Sequence, residues 1–302
     1  MTTRDRPRYP RRSDARSLAV VLAHFVFVFA PVFLAAWVGP GRWLPVLWLW
    51  FGLSFHGMLN LWHESSHALV FRERWKNELL GRWILAPLIV GDFEAYRSRH
   101  WDHHRFVGRE EDTKDAYLLD LHGTRMLRFL LDCLTLREAR KKLCATTGPP
   151  DEAPRSRGWP ARAALGQVVL LAGLLAVALA RGRSLESAMV AAGAAWAFVY
   201  LYGTASLTLF VATLRSLAEH GLSDDGSPRI GRAALRNFAS GPVERLLLGA
   251  YGFAEHATHH REPAIPAYHL PAATARLVAE GAHELRPQPG GYRARLRDVL
   301  RG

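Results

Sequence analysis

The sequence predicts an all-α integral membrane fold: two transmembrane helical hairpins, four spans in all, with a cytoplasmic helical cap. Three observations predict it. The apolar residues fall into four long blocks, nearly all the basic residues fall on one side of those blocks, and eight of the fourteen histidines gather in three short boxes. The mean hydropathy is near zero, which alone would suggest a soluble protein. It averages over apolar blocks and Arg-rich stretches that are sharply separated along the chain.

The first block, residues 18–38, is interrupted only by His24 and Pro31. About 20 residues cross a bilayer core as helix. The second block, 43–62, is rich in Trp, Leu and Phe; the third, 163–180, is almost entirely Ala, Leu, Val and Gly. The fourth, 187–214, is long enough to tilt or to extend beyond the bilayer. Short turns join the first block to the second and the third to the fourth, which gives two hairpins. Basic residues ahead of the first block imitate a signal peptide. The apolar run is too long for a usual h-region and lacks a cleavage site, so it reads as a retained anchor.

Sidedness follows from Lys and Arg. The tail (1–17) carries 6, the segment between the hairpins 18, the part from Arg215 onward 12, and the two short turns 1 and 2. Thus 36 of 39 lie on one side, the cytoplasmic one by the positive-inside rule. The net charge of +12 therefore suits an anionic membrane surface. No groove-reading or base-stacking motif supports a nucleic-acid partner. Three regions follow: a basic cytoplasmic tail (1–17), a membrane domain (18–272) and a basic C-terminal tail (273–302).

Between the hairpins, residues 79–91 are apolar but short and contain Arg82, so they read as interfacial or re-entrant. Residues 125–143 mix Leu, Met and Phe with Arg and Lys, the pattern of a helix lying on the membrane surface. Residues 147–160 read as a loop. Cys133 and Cys144 form neither a disulfide framework nor a CxxC pair.

The boxes are His63-Glu64-Ser65-Ser66-His67, His100-Trp101-Asp102-His103-His104 and His256-Ala257-Thr258-His259-His260, and His220 stands just past the fourth block. On a helix, positions i, i+3 and i+4 share one arc. Each box therefore offers two or three ring nitrogens on one side, and neutral imidazole suits iron, zinc and copper. Nine nitrogens exceed the roughly four to six that one metal takes, so two metals are expected. The ligand set is His63, His67, His100, His103, His104, His220, His256, His259 and His260. All nine meet at one membrane face provided residues 79–91 do not cross. His24 and His56 lie inside spans and read as packing residues; His122, His269 and His283 read as surface or structural.

The phrases around the boxes carry a resemblance. Trp62 to Ala68 lead into Asn77-Glu78-Leu79-Leu80-Gly81. Tyr96-Arg97-Ser98-Arg99-His100 lead into His103-His104-Arg105-Phe106 and then Glu111-Asp112. His259-His260 are followed by Pro263-Ala264-Ile265-Pro266-Ala267-Tyr268-His269-Leu270-Pro271. Over residues 45–272 this resembles the membrane fatty acid desaturase and hydroxylase family. The resemblance implies a mushroom-shaped four-span protein whose nine histidines hold two non-haem iron ions in the cap. It also implies O₂ as co-substrate and a lipid or acyl chain as substrate. Desaturation is the expected reaction, with hydroxylation of a lipid or hydrocarbon the alternative on the same scaffold. No cytochrome-b5-like segment is present, so a separate, ferredoxin-like electron donor is expected. The Ala- and Arg-rich composition points to a bacterial inner membrane.

Four carboxylates adjoin ligands in sequence, Glu64, Asp102, Glu219 and Glu255, and are candidates to orient them. Some relatives carry Asn four residues before the position of His220; here it is Ser216. Two other functions compete. His63-Glu64-x-x-His67 matches the zinc-protease signature, with Glu64 as general base, but leaves most of the histidines unused. A metal transporter would place its ionisable groups near the midplane of the spans, where this chain has almost none.

Overall fold

The computed structural model describes residues 9–10, 13–109, 111–114, 119–147, 156–220 and 235–301. Most of the basic tail, Arg11 and Arg12 included, and most of the 147–160 loop lie outside the described residues. Four helices are long and apolar enough to cross a membrane: α1 (Asp14–Val38), α2 (Leu44–Ser66), α7 (Trp159–Ala180) and α8 (Leu185–His220). No strand occurs among the described residues.

Local chemistry sets the ends of the first hairpin. Ser13 caps α1, its hydroxyl accepting from Arg16 N, and Gly39 ends it at φ 81, where a side chain would be strained. Helix α2 is interrupted at Phe55, whose backbone stays in the right-handed helical region, and then runs on through Ser66. It is longer than the apolar block predicts, so His63 lies within its last turn and His67 is its C-cap.

Residues 74–89 do not cross the bundle. They form α3 (Arg74–Leu79), a π-helical turn (Leu80–Leu85) and a short helix (Ala86–Ile89), and end at Val90 in the left-handed region. At 1.5 Å per residue this run is about 24 Å long, short of the roughly 30 Å hydrocarbon core. It is held by its carbonyls: Trp62 Nε1 donates to Gly81 O (3.0 Å), Gln167 Nε2 to Pro87 O (3.0 Å) and Tyr200 to Leu88 O (2.5 Å). Helix α4 (Phe93–Phe106) follows, capped by Asp92, which accepts from Glu94 N and Ala95 N.

The run expected over 125–143 is two helices, α5 (Thr124–Leu134) and α6 (Arg137–Thr147). Thr135 Oγ1 bonds back to Leu131 O, and Leu136 sits at φ 61, which ends the first helix. Met126, Phe129 and Cys133 are buried in a cluster with Leu217 of α8, while Leu127 and Leu131 face outward. That outward apolar face fits a helix lying on a membrane.

Helix α8 has 36 residues, about 54 Å, and so outreaches any bilayer core. The apolar block stops near residue 214, but the helix continues to carry His220. Beyond the gap come α9 (Pro242–Leu247), α10 (His256–Arg261), α11 (Leu270–Ala279) and α12 (Gly291–Arg301). Residues 273–301, expected within a basic C-terminal tail, fold onto the body as α11, a short turn and α12. Tyr292 is fully buried, its hydroxyl 2.8 Å from Glu219 Oε1 and 2.9 Å from Phe253 O. A buried aromatic with a satisfied hydroxyl fixes α12 in place; the surrounding arginines had masked that role.

Candidate metal centre

Four helix ends bring the nine histidines together. Helix α2 contributes His63 and His67, α4 contributes His100, His103 and His104, α8 ends on His220, and α10 contributes His256, His259 and His260. They form two groups. In one, a ring nitrogen from each of His63, His67, His100, His104 and His259 lies within 4.8 Å of all the others. In the other, the same holds for His103, His220, His256 and His260.

Each His-x-x-His-His box is split between the groups. On α4, His100 and His104 join the group of five while His103 faces the group of four. On α10 the assignment is reversed: His256 and His260 join the group of four, and His259 crosses to the group of five. Positions i+3 and i+4 stand about 100° apart on a helix, enough for one box to face two centres.

The groups fit metal ions. Nitrogens bound about 2.0–2.1 Å from one ion, at ordinary ligand angles, stand roughly 3.0–3.4 Å apart. The Nε2 atoms of His67 and His100 are 2.7 Å apart, those of His100 and His104 3.0 Å, those of His103 and His220 3.0 Å, and those of His220 and His256 3.4 Å. Both ring nitrogens of His63 and of His260, and Nε2 of His259, are buried with no hydrogen-bond partner. Buried polar atoms are ordinarily paired, and a cation between these rings would satisfy them.

The surroundings favour neutral rings with free lone pairs. Burial pushes the His67 imidazole down to about 3 and, with His67 and His103 alongside, the His104 imidazole down to about 2. Burial, aided by the charge of Lys114, lowers His103 to about 4 against the pull of Asp112. The Phe253 ring lies 4.6 Å from His63 and 5.2 Å from His256, an apolar wall touching both groups. Arg215 stacks over that ring at 4.1 Å and pairs with Glu219 at 3.0 Å.

The family model for fatty acid desaturases matches residues 40–289, most of the chain. The chain belongs to the fatty acid desaturase family. It is similar to an sn-1 oleoyl-lipid 12-desaturase of Synechocystis sp., 34% identical over 68 residues, which are 22% of this chain and 19% of the relative. The enzyme of the same name from Anabaena variabilis is 28% identical over 93 residues, covering 31% and 24%. An sn-1 acyl-lipid omega-3 desaturase (ferredoxin) of Nostoc sp. is 25% identical over 84 residues, covering 28% and 23%. These alignments span only about a quarter or less of each relative's length.

For this desaturase-family chain, sequence adjacency was a poor guide to which carboxylates orient ligands. Glu64 Oε1 accepts from Ala267 N at 2.8 Å, and Glu255 pairs with Arg245. Among the described residues Asp102 bonds to no histidine. Glu219 comes nearest, its Oε2 3.8 Å from His256 Nε2, while it binds Arg215 and Tyr292. A carboxylate that does hold a histidine is Asp112, whose Oδ1 is 2.7 Å from His103 Nδ1. It stands nine residues past that histidine, beyond the end of α4. The Ser216 position also takes part, through its backbone: its carbonyl lies 3.0 Å from His220 Nδ1. His24 bonds Tyr251 and His56 bonds Leu247 O, both outside the two groups.

Glu64 belongs to neither group, and its Oε1 accepts from Ala267 N. A Gln at this position offers the same acceptor. Glu64→Gln is therefore expected to keep its metal content and to lose less than about three-fold in activity, within the usual cost of a conservative change. Abolished activity with full metal content would revive a general-base role.

Proposed function

We propose that the chain is an O₂-dependent di-iron oxidoreductase that introduces a double bond into a lipid acyl chain. The observation that supports this most is the pairing of a five-histidine and a four-histidine group, mostly buried and side by side, in a desaturase-family chain. Iron held by the two groups supplies, with O₂ and donated electrons, the oxidising power to break an unactivated C–H bond. Two hydrogens leave neighbouring carbons, two electrons and two protons enter, and O₂ departs as two waters.

The protein's own residues bind, orient and exclude water. Asp112 and the Ser216 carbonyl hold His103 and His220 so that their Nε2 atoms face each other. Phe253 keeps the wall beside His63 and His256 apolar. A cavity of about 540 Å³ between α1 and the 245–268 region is lined by Val20, Phe27, Leu69 and Tyr251, and reaches Glu64 and Gly252 beside His63 and Phe253. That cavity is a route by which an acyl chain can approach from the bilayer.

The histidine end is assigned to the cytoplasmic side of a bacterial inner membrane, where 36 of the 39 Lys and Arg residues fall. The electron donor is a separate ferredoxin-type protein. Its acidic surface would be steered by that basic face, as the ferredoxin in the Nostoc relative's name also suggests. The test is expression in a bacterial host lacking polyunsaturated lipids, with a ferredoxin co-expressed and lipids analysed by mass spectrometry. Acyl chains lacking two hydrogens, formed in air and not under anaerobic growth, are the expected result. Chains gaining one oxygen would indicate a hydroxylase, and unchanged lipids with iron-loaded protein would overturn both.

A further inference from the structure

A second cavity, of about 820 Å³, lies away from the histidines, between α1, the 83–88 segment and α7. Its walls include Phe29 and Phe33 of α1, Ile84, and Leu165, Val169 and Gly173 of α7. Both helices are long and apolar enough to span a membrane, so a groove on their outer faces opens to lipid. Among the described residues Arg162 is the one charged group in its lining, and it sits in the first turn of α7.

The Arg162 guanidinium is fixed and has donors to spare. It stacks over Trp83 at 5.2 Å, donates from Nη1 to Arg157 O (3.1 Å) and from Nη2 to Ser156 Oγ (2.7 Å). Two of its five N–H groups are thereby used. Among the described residues no carboxylate pairs with it, whereas nearby Arg82 and Arg97 both pair with Glu94. A Trp-anchored cation at the end of a span stands at headgroup depth, and its fork matches the oxygens of a phosphate.

The glycines shape the rest. A Cβ at Gly166 would meet Pro87 at 2.4 Å, so glycine lets α7 close on the 83–88 segment and form the floor. A Cβ at Gly173 would stand in ordinary contact with Phe33, at 3.7 and 3.9 Å, so the bare Gly173 backbone and the Phe33 ring meet to form one wall, and a large side chain at 173 would project into the groove.

We propose that this groove binds one anionic phospholipid, with its phosphate on Arg162 and an acyl chain laid along the wall formed by Phe33, Val169 and Gly173. The site is connected to the metal-bearing helix by hydrogen bonds. Arg162 holds Ser156, whose N–H and hydroxyl donate to Asp92 (2.8 and 3.1 Å), the N-cap of α4. Headgroup binding therefore braces the start of the helix that carries His100, His103 and His104.

The test is native mass spectrometry of the detergent-purified full chain with added phosphatidylglycerol or phosphatidylcholine. The variants are Arg162→Gln, Gly173→Phe and Gly173→Leu. Arg181→Gln is the control, because Arg181 stacks on Trp37 in the same way at the other end of α7 and does not line this groove. The wild type should retain one phosphatidylglycerol in preference to phosphatidylcholine. Arg162→Gln should weaken retention about five-fold, both Gly173 variants should do so at least as much, and Arg181→Gln should match the wild type. Loss in the Gly173 variants counts only for those that keep the wild-type melting temperature. Undiminished retention in Arg162→Gln, or equal loss in Arg181→Gln, would overturn the proposal.

Discussion

The double variant His103→Ala, His104→Ala should lower bound iron from about two per chain to below one, and cut desaturation by well over the ~10–100-fold that loss of an outer-shell partner costs. The two substitutions are neighbours in sequence but strike different groups. His104 is one of the five and His103 one of the four. The group of four has less to spare, because about four ligands complete a simple site. His103→Ala alone should therefore remove more iron than His104→Ala alone. Elemental analysis of the purified variants, with circular dichroism to show retained helix, reads both numbers. Two irons retained in the double variant would remove these rings from the centre. A single zinc that survives in it would point back to His63 and His67.

Removing the Asp112 carboxylate should weaken the four-histidine group without touching a metal. Asp112 Oδ1 faces His103 Nδ1 and also accepts from Lys114 N, while Oδ2 accepts from Gly108 N. It thus fixes both the tautomer of His103 and the turn that follows α4. Asp112→Ala is expected to release iron to a chelator about 10–100-fold faster, with a parallel fall in activity. Asp112→Asn keeps one acceptor oxygen and should recover much of the loss. Chelator-competition kinetics on the two variants distinguish orientation from folding, because a merely structural effect would lower the melting temperature of both alike. Unchanged release from Asp112→Ala would end the assignment.

Much of this architecture was legible because bilayer physics writes long signals. Four apolar blocks gave four helices, and the brevity of 79–91 with Arg82 inside it gave a run that turns back. The boxes were legible because 3.6-residue periodicity makes i, i+3 and i+4 neighbours. The division of the nine rings was not. His103 meets His220 from 117 residues away and His63 meets His259 from another helix, contacts that no local spacing encodes. Asp112 was hidden for the same reason, since it reaches its histidine through a turn and not along a helix face. Tyr292 was hidden by composition: five arginines from residue 286 to 301 read as a basic tail, although one aromatic among them is the buried anchor. The 125–143 run was misjudged as one helix because its composition continues smoothly across Leu136, where the backbone does not.

The crossed assignment of the two His-x-x-His-His boxes has a consequence for how such a chain can change through descent. Inserting one residue between His100 and His103 turns the later rings by about 100°. That would mis-aim rings of both histidine groups together. Neither histidine group can be reshaped by a length change within the boxes of α4 or α10 while the other stays intact. The pair is inherited as a unit. Insertions and deletions should be purged from these two short helices, even as substitutions accumulate freely on the lipid-facing sides of the spans.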